Sequence, residues 1–247
     1  MKTFFRNGFK TYYSETPTAM KCIKYLNKKY PFTMPKIDHI AYRNLNSVKK
    51  TENLLYSSNY KLMDQLELDT ENPDFCKKAF WYKHQYFPRI FLSSVSLEKL
   101  SPKLIEKIKL PEKDINTYNE LKELDQYLAW TYYWNEHINH IAIDLSNYGE
   151  YFSDIIEEME KDLDLNMNIS EDNGKYQISV DSHLLQCSTK SDMIDELPKS
   201  YIEFVYRNIL PESKSKNFPT SVDRKDGFDP INANTIFKST NTMSDYI

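Results

Sequence analysis

The stretch NHIAID at residues 139–144 decides the fold, because a close copy of it, DHIAYR at residues 38–43, lies 101 residues upstream. Side chains alternate between the two faces of a β-strand, so each histidine shares a face with the residues two and four positions later. A buried strand usually has Val, Ile or Leu at its inward positions, so a histidine at the same position of both copies needs a partner such as a metal. The repeat therefore predicts two related strands whose imidazoles, His39 and His140, bind one cation.

Segments of the same type follow each copy in the same order. The predicted helices lie within residues 44–64 and over residues 148–162. The predicted strands that follow lie near residues 60–63, 77–84, 88–94, 176–180, 184–188 and 201–207. Both copies thus have the order βαβββ. The sequence predicts an α+β fold in which two such modules form a curved, partly closed sheet around a metal cavity, with a helical insertion between them.

This order divides the chain into five predicted segments. They are an N-terminal helical segment (1–35), the first module (36–96), a helical connector (97–136), the second module (137–210) and a C-terminal segment (211–247) that packs on or covers the site. The composition beyond Pro211 is polar and by itself typical of disorder. Residues 227–237 are an exception, because they end in a short helical pattern.

Composition excludes several classes of protein. The chain has 247 residues, 40% of them hydrophobic, which is enough to bury a sizeable core. A net charge of −4, with Lys and Arg spread along the sequence, argues against a nucleic-acid partner. Only 4 glycines are present, which argues against the glycine-rich phosphate loops of nucleotide-binding folds.

The cysteines and the N-terminus bear on the compartment. Cys22, Cys76 and Cys187 are odd in number and lack CxxC spacing, so neither a disulfide framework nor a thiolate zinc site is predicted. No window approaches the ~18 consecutive apolar residues of a membrane span. Residues 1–14 contain basic residues and no acidic one, a faint likeness to an organellar transit peptide, but they are not rich in Arg and Ser. We expect a reduced, cytoplasmic protein with an N-terminal helix.

Glu203 is the candidate third ligand. It lies in the middle of the β-type run at residues 200–207, among apolar and aromatic residues. A buried carboxylate without a partner is costly, so Glu203 needs an arginine, a metal or a raised pKa. Together with His39 and His140 it would complete the two-histidine, one-carboxylate triad that binds Fe(II) and leaves positions open for substrate and dioxygen.

Other interpretations of these residues stay open. A strand histidine is more often a hydrogen-bonded core residue, and Glu203 could pair with Arg207 on the same face of its strand. His137 could chelate a metal with His140 if the segment were helical, but in a strand the two side chains point to opposite faces. His137 is therefore interpreted as an outer-sphere or surface residue. His84 and His183 have no counterpart in the repeat and are predicted to be surface or turn residues.

Several motifs together resemble those of the 2-oxoadipate dioxygenase/decarboxylase family, whose fold is of the vicinal oxygen chelate type. They run in order over residues 36–240 and include a Gln-x-Ser-Thr motif and a Tyr-x-Glu-Phe-x-x-Arg motif. The matching stretches are HIAYR (39–43), PRIFLS (88–93), NH (139–140), LQCST (185–189), PKSYIEFVYR (198–207) and GF-x4-AN (227–234). Cys187 stands where serine is commoner in the family, and the chain is shorter than the bacterial members.

The resemblance implies a non-haem Fe(II) enzyme whose iron is held by His39, His140 and Glu203. It implies oxidative decarboxylation of 2-oxoadipate with dioxygen to 2-hydroxyglutarate and carbon dioxide, a step of lysine breakdown. Arg43 would pair with a substrate carboxylate through its two-pronged guanidinium. Gln186 and Ser188 are predicted to face the cavity and to hydrogen-bond the substrate or a bound water, with a structural role in the core as the alternative. For Arg43, a structural ion pair with Glu203 or Asp144 is the competing interpretation.

Two functions of other classes remain alternatives. The first is a metal-binding or small-ligand-binding module with the same fold and no oxygenase activity, because fold alone does not determine function. The second is an interaction protein that uses the acidic helix 148–162 and the helical connector as a partner surface. Solvated charged helix faces are common, so these helices do not require a partner.

Overall fold

The computed structural model describes residues 2–45, 47–68, 75, 77–170, 174–216 and 220–241. These residues divide into two compact units. Unit 1 consists of Met1–Tyr12, Ile40–Asn139 and Met193–Lys199, and unit 2 of Tyr13–His39, His140–Asp192 and Ser200–Ile247. The division into five segments drawn from the sequence is a separate description and stays a prediction.

Helices and strands follow one another in the predicted order. The helices are α1 Lys2–Glu15, α2 Pro17–Lys29, α3 Lys49–Tyr56, α4 Pro102–Lys109, α5 Ile115–Lys122, α6 Gln126–Tyr133, α7 Phe152–Leu163 and α8 Pro230–Asn241. The strands are β1 Lys36–Leu45, β2 Lys61–Leu68, β3 Lys77–Lys83, β4 Arg89–Val95, β5 Ile138–Asp144, β6 Gln177–Ile178, β7 Leu184–Ser188, β8 Asp192–Ile194 and β9 Leu197–Arg207. The first repeat reads β1-α3-β2-β3-β4, as predicted. The second reads β5-α7-β6-β7-β8-β9, with β8 as an additional short strand. The predicted α+β class is confirmed.

In unit 1, antiparallel strands pack against the connector helices. The strand order is β2-β3-β4-β1, and β3 pairs with β4 from Lys77↔Val95 to Tyr82↔Ile90. Two prolines, Pro102 and Pro111, flank the first connector helix, α4. Pro102 is at the first turn of α4, where a missing N–H costs nothing, and Ser101 caps that turn by accepting from the Leu104 N–H at 3.3 Å. The helices bury apolar side chains in one cluster, made of Phe75, Val95, Leu100, Leu104, Ile108, Tyr118, Leu121, Leu128, Ala129, Tyr132 and Leu197.

In unit 2, β9 is the central strand. It pairs in parallel with β5 on one side and antiparallel with β7 on the other, and β7 continues to β6. Helix α7 is amphipathic and buries Phe152, Ile155, Ile156 and Met159. Helix α2 packs against α7, and its first turn is held by Asp192, which accepts from the Thr18 N–H at 3.1 Å and from the Thr18 hydroxyl at 2.7 Å.

The C-terminal segment is ordered over residues 220–241, although its composition is typical of disorder. Its polar side chains bond to the rest of unit 2: the Arg224 guanidinium donates to the Arg207 carbonyl at 2.7 Å and to the Ser146 carbonyl at 3.2 Å. The helical pattern predicted within 227–237 corresponds to α8. Paired polar groups thus add to the few apolar contacts of this segment, such as the buried Ile236 side chain.

Further predictions concern the N-terminal helix, the cysteines and membrane-spanning helices. The predicted N-terminal helix corresponds to α1. Cys22 and Cys187 are buried and free, whereas Cys76 lies outside the described residues. Within the described ranges, every helix is too short or too polar to cross a membrane.

We expect the buried ion pair between Asp125 and Lys77 to dominate the stability of the connector helices. The carboxylate of Asp125 caps α6 by accepting from the Leu128 N–H at 2.7 Å and lies 3.0 Å from the Lys77 ammonium, both residues being buried. Asp125→Ala would leave a buried cation unpaired and should lower the free energy of unfolding by about 3–5 kcal/mol. Asp114→Ala is the matched control, because exposed Asp114 caps α5 without such an ion pair. Urea denaturation measures both, and equal losses for the two variants would contradict the expectation.

Candidate metal centre

Three strands contribute the residues of the predicted triad, all of which belong to unit 2. His39 lies in β1, His140 in β5 and Glu203 in β9. The parallel register of β5 and β9 pairs Ala142 with Glu203 and His140 with Tyr201, so His140 and Glu203 are diagonal neighbours on one face of the sheet. The two imidazoles and the carboxylate offer one ligand atom each, and these atoms all lie within 4.8 Å of one another.

The distances among the three donors fit a single small cation. The Nε2 atoms of His39 and His140 are 3.1 Å apart, His39 Nε2 is 3.6 Å from Glu203 Oε1, and His140 Nε2 is 3.4 Å from Glu203 Oε2. Donors about 2.1 Å from a first-row metal are roughly 3.0–3.4 Å apart when adjacent and about 4.2 Å apart when opposite. Two of the three pairs lie in the adjacent range, and the third, at 3.6 Å, is nearer to that range than to the opposite distance. Donors placed in this way would occupy one face of a coordination sphere and leave the opposite face for ligands from solution.

Burial makes this cluster unfavourable without a compensating charge. His39 is 2% exposed, His140 5% and Glu203 1%. Burial raises the pKa of Glu203 above its usual range, and the charge of His39 and the hydrogen bond from Gln186 oppose that rise. A divalent cation would neutralise the carboxylate and satisfy both imidazole nitrogens, so the residues present fit a metal.

Asp38 and Arg207 hold the imidazole of His39 in place. The Nδ1–H of His39 donates to Asp38 Oδ2 at 3.0 Å, which leaves the Nε2 lone pair directed at the other two donors. Arg207 donates two hydrogen bonds to the same carboxylate, from Nε to Oδ1 at 2.7 Å and from Nη2 to Oδ2 at 2.9 Å. The sequence left open a pairing of Arg207 with Glu203; the bidentate partner of Arg207 is Asp38.

Gln186 holds the carboxylate of Glu203. Its Nε2 donates to Glu203 Oε1 at 2.8 Å, and its Oε1 accepts from Asn232 Nδ2 at 2.9 Å. Ser188, also predicted to face a substrate, accepts from Asn168 Nδ2 at 3.3 Å through its hydroxyl oxygen. The described contacts of Gln186 favour a role in orienting Glu203.

Two aromatic rings complete the wall around the histidines. The ring of Tyr201 stacks on His140 with centroids 4.7 Å apart, and Phe228 meets His39 edge to face at 4.9 Å. Burial raises the pKa of the neighbouring Cys187 thiol, and the charge of Glu203 adds to the rise. Cys187 is therefore a protonated core residue and not a thiolate ligand.

Arg43 and His137 are the remaining residues that the sequence considered for the site. Arg43 belongs to unit 1, where it is buried, its guanidinium stacks on the Trp130 ring at 3.4 Å, and it donates to the Asn139 side chain and to the Lys199 carbonyl. His137, which was interpreted as an outer-sphere or surface residue, is exposed, and its ring centroid lies 5.9 Å from that of Trp134.

His84 and His183 are partly exposed. His84 lies among Tyr60, Tyr86 and Phe87, and His183 lies just before β7. Both agree with the surface or turn positions expected for them.

The sequence did not single out Asp38, Phe228 or Asn232 as parts of the site. Asp38 precedes a candidate ligand directly, and a carboxylate beside a metal-binding histidine is a common outer partner, so this signal was available. Phe228 and Asn232 lie in a polar segment, where nothing local indicates which strand the segment contacts.

The chain resembles known proteins both in sequence and in structure. No family model matches the chain. A 2-oxoadipate dioxygenase/decarboxylase of Oryza sativa subsp. japonica, described as chloroplastic/amyloplastic, is 26% identical over 97% of this chain and 78% of its own length. The crystal structure of a hydroxyglutarate synthase from Oryza sativa superposes with a TM-score of 0.83 and 23% identity, over 97% of this chain and 91% of that one.

A structure from Ralstonia eutropha JMP134 assigned to the glyoxalase superfamily gives a TM-score of 0.69 and 14% identity, over 92% of this chain and 84% of that one. These structural likenesses confirm the predicted vicinal oxygen chelate type of fold. The sequence resemblance to 2-oxoadipate dioxygenase/decarboxylases is confirmed as well.

We predict that the purified protein binds one divalent ion and that the triad is required for it. Loss of an outer partner of a metal ligand typically weakens metal binding by about 10–100-fold. His140→Ala or Glu203→Ala removes a ligand itself and should weaken binding by more than that. His183→Ala makes the same change outside the triad and should bind normally. Elemental analysis after dialysis with Fe(II) or Co(II) measures the content. A triad variant that keeps full metal content would show that the ion is bound elsewhere.

Proposed function

We propose that this chain, a relative of the 2-oxoadipate dioxygenase/decarboxylases, is an Fe(II)-dependent oxygenase that oxidatively decarboxylates a dicarboxylic 2-oxo acid. 2-Oxoadipate is the first candidate substrate, with 2-hydroxyglutarate and carbon dioxide as products. The observation that carries the proposal is the buried facial set of His39, His140 and Glu203 in a chain related to such enzymes over 97% of its length. The rice hydroxyglutarate synthase structure holds 2-oxoadipate, which supports this class of ligand.

The residues of the chain hold and isolate the reacting centre. Fe(II), when bound, would supply electrons to dioxygen and act as a Lewis acid toward the adjacent keto and carboxylate oxygens of a 2-oxo acid. Asp38 retains the Nδ1 proton of His39, so that imidazole stays in the tautomer that presents Nε2. Gln186 fixes the carboxylate of Glu203. Burial of the three donors excludes water, which protects reactive species from side reactions.

The proposed reaction balances without a further reductant. 2-Oxoadipate and dioxygen together contain the same atoms as 2-hydroxyglutarate and carbon dioxide, so both oxygen atoms enter the products. The bond between the keto carbon and the first carboxylate breaks, and the keto carbon gains one oxygen atom and becomes a carboxylate. The second oxygen atom is inserted into a C–H bond of the adjacent carbon and forms the hydroxyl group. Decarboxylation and hydroxylation supply the electrons that dioxygen takes up.

Arg43 is the proposed partner of a substrate carboxylate. Its guanidinium is planar and bidentate, and the stack on Trp130 fixes its plane. The hydrogen bond to the Lys199 carbonyl at 2.5 Å uses Nη2. A buried, immobilised guanidinium loses little entropy when it binds a carboxylate, which suits a specificity residue.

A metal-binding module without oxygenase activity is the second candidate. Two histidines and a glutamate also bind Zn(II) in hydrolytic enzymes, so the donor set itself favours both metals. Tight, four-coordinate Zn(II) in the protein as isolated, together with no oxygen uptake, would favour this candidate.

A cytoplasmic location also stays a prediction; the plant relatives are described as chloroplastic.

We expect the anaerobically purified protein, loaded with Fe(II) under reducing conditions, to consume oxygen with 2-oxoadipate. Stoichiometric carbon dioxide and 2-hydroxyglutarate should form, measured with an oxygen electrode and mass spectrometry. Adipate, which has no 2-oxo group to chelate, is the matched control and should give no uptake. Absence of uptake with any C5 to C7 2-oxo diacid would remove the oxygenase proposal.

Arg43→Lys should retain iron but lower kcat/KM by about 10- to 100-fold, since a charged hydrogen bond contributes roughly 1.5–3 kcal/mol and an ammonium cannot replace a bidentate fork. Steady-state kinetics beside iron content distinguish this from loss of the metal. Unchanged turnover would leave the chemistry in place and reject the role of Arg43.

A further inference from the structure

Two sets of hydrogen bonds support the triad, and both lead to the same segment of the chain. Residues 225–232 lie C-terminal to β9 and run into the first turn of α8. This segment, named here the bracket segment, contacts the partners of His39 at one end and the partner of Glu203 at the other. All of these residues belong to unit 2.

We propose that the bracket segment is a positioning element of the metal centre, whose docking and metal binding stabilise each other. This inference rests on the proposed metal site and goes beyond it, because it assigns roles to Arg207, Phe228 and Asn232 outside the ligand set. The segment would act on the ligands through their outer partners and not by touching the metal.

The first arm of the bracket runs through Arg207. Two of its N–H groups hold Asp38, and Nη1 donates to the carbonyls of Lys225 at 3.0 Å and Gly227 at 2.8 Å. One rigid guanidinium therefore joins the carboxylate that orients His39 to the backbone of the segment. Gly227 has φ +77°, a left-handed conformation that other residues adopt at a cost. This turn is followed by Phe228, whose ring packs against His39.

The second arm runs through Asn232. Its side chain is 1% exposed and donates from Nδ2 to Gln186 Oε1 at 2.9 Å and to the Leu184 carbonyl at 3.5 Å. An ionised carboxylate only accepts hydrogen bonds, so Glu203 requires the amide N–H of Gln186. The Gln186 oxygen must then face away from Glu203 and needs a donor, which Asn232 supplies. The orientation of Glu203 thus depends on Asn232 of α8 through two successive hydrogen bonds, with Gln186 between them.

Coupling between the two ends follows from thermodynamics. If the docked segment orders His39 and Glu203, metal binds more tightly to the docked form, and bound metal must stabilise docking by the same factor. Loss of an outer-sphere partner typically weakens metal binding by about 10–100-fold. The bracket segment should therefore become more protected from solvent exchange when metal binds.

Asn232→Asp tests the second arm with little change in volume. The new carboxylate cannot donate to the Gln186 oxygen, so the Gln186 amide would turn and present its oxygen to Glu203. We expect the Kd for Co(II), measured by competition with a chelator, to rise by about 10–100-fold. Asn234→Asp introduces the same charge two residues along α8 and should leave the Kd within about twofold of wild type. Asn232→Ala provides a second variant without added charge and should weaken binding in the same direction.

Hydrogen exchange distinguishes linkage from a general loss of stability. In wild type and Asn234→Asp, Co(II) should slow amide exchange across residues 225–236, and in Asn232→Asp this slowing should be lost while the core strand β9 stays protected. Unchanged Co(II) affinity in both Asn232 variants, or metal-independent exchange of the segment in wild type, would overturn the proposal. Failure of the wild-type protein to bind Co(II) at all would instead overturn the metal site on which the proposed function rests.

Discussion

Two imidazole nitrogens held 3.1 Å apart inside a sheet, with a buried carboxylate facing both, constitute the interaction on which the rest of unit 2 depends. With both Nε2 atoms unprotonated, as metal binding requires, such an arrangement is unfavourable in an apolar interior, because two lone pairs and a negative charge then converge. Strands impose it: β5 and β9 are locked in parallel register, and their side-chain alternation brings His140 and Glu203 to one face. A cation turns this repulsive arrangement into an attractive one, and the outer partners prevent the ligands from turning away.

The residues that hold the three donors are themselves buried polar groups, and each of them has a hydrogen-bond partner. Asp38 and Arg207 form a buried ion pair in which all the named groups are hydrogen-bonded, the condition under which such a pair is tolerated. Gln186 and Asn232 form a neutral chain of amide bonds. Networks of this kind, fully satisfied, favour one arrangement of side chains over the alternatives. Rigidity of the three donors therefore depends on groups that never contact the metal.

The sequence predicted the part of this arrangement that is periodic. The repeat of His-Ile-Ala pointed to the two histidines that the structure brings together, strand alternation proposed Glu203 beside them, and the order βαβββ was visible in local patterns. Contacts between distant segments were not predictable in that way. Asp38 and Arg207 are 169 residues apart, and Gln186 and Asn232 are 46 apart, with no periodicity to connect them. The polar composition after Pro211 suggested disorder because composition does not show that Arg224 and Asn232 find buried partners.

Charge inside the site gives a physical reason for an anionic substrate. Asp38 and Arg207 neutralise each other, so Glu203 contributes the one uncompensated negative charge of the triad and its outer pair. A divalent ion bound there would leave a net charge of about +1 in a buried, low-dielectric setting, where an unmatched charge is costly. A 2-oxo acid coordinating through its keto and carboxylate oxygens would bring the missing negative charge. A neutral carbonyl compound of the same shape would chelate without cancelling that charge, so the site should favour the acid over its amide or ester.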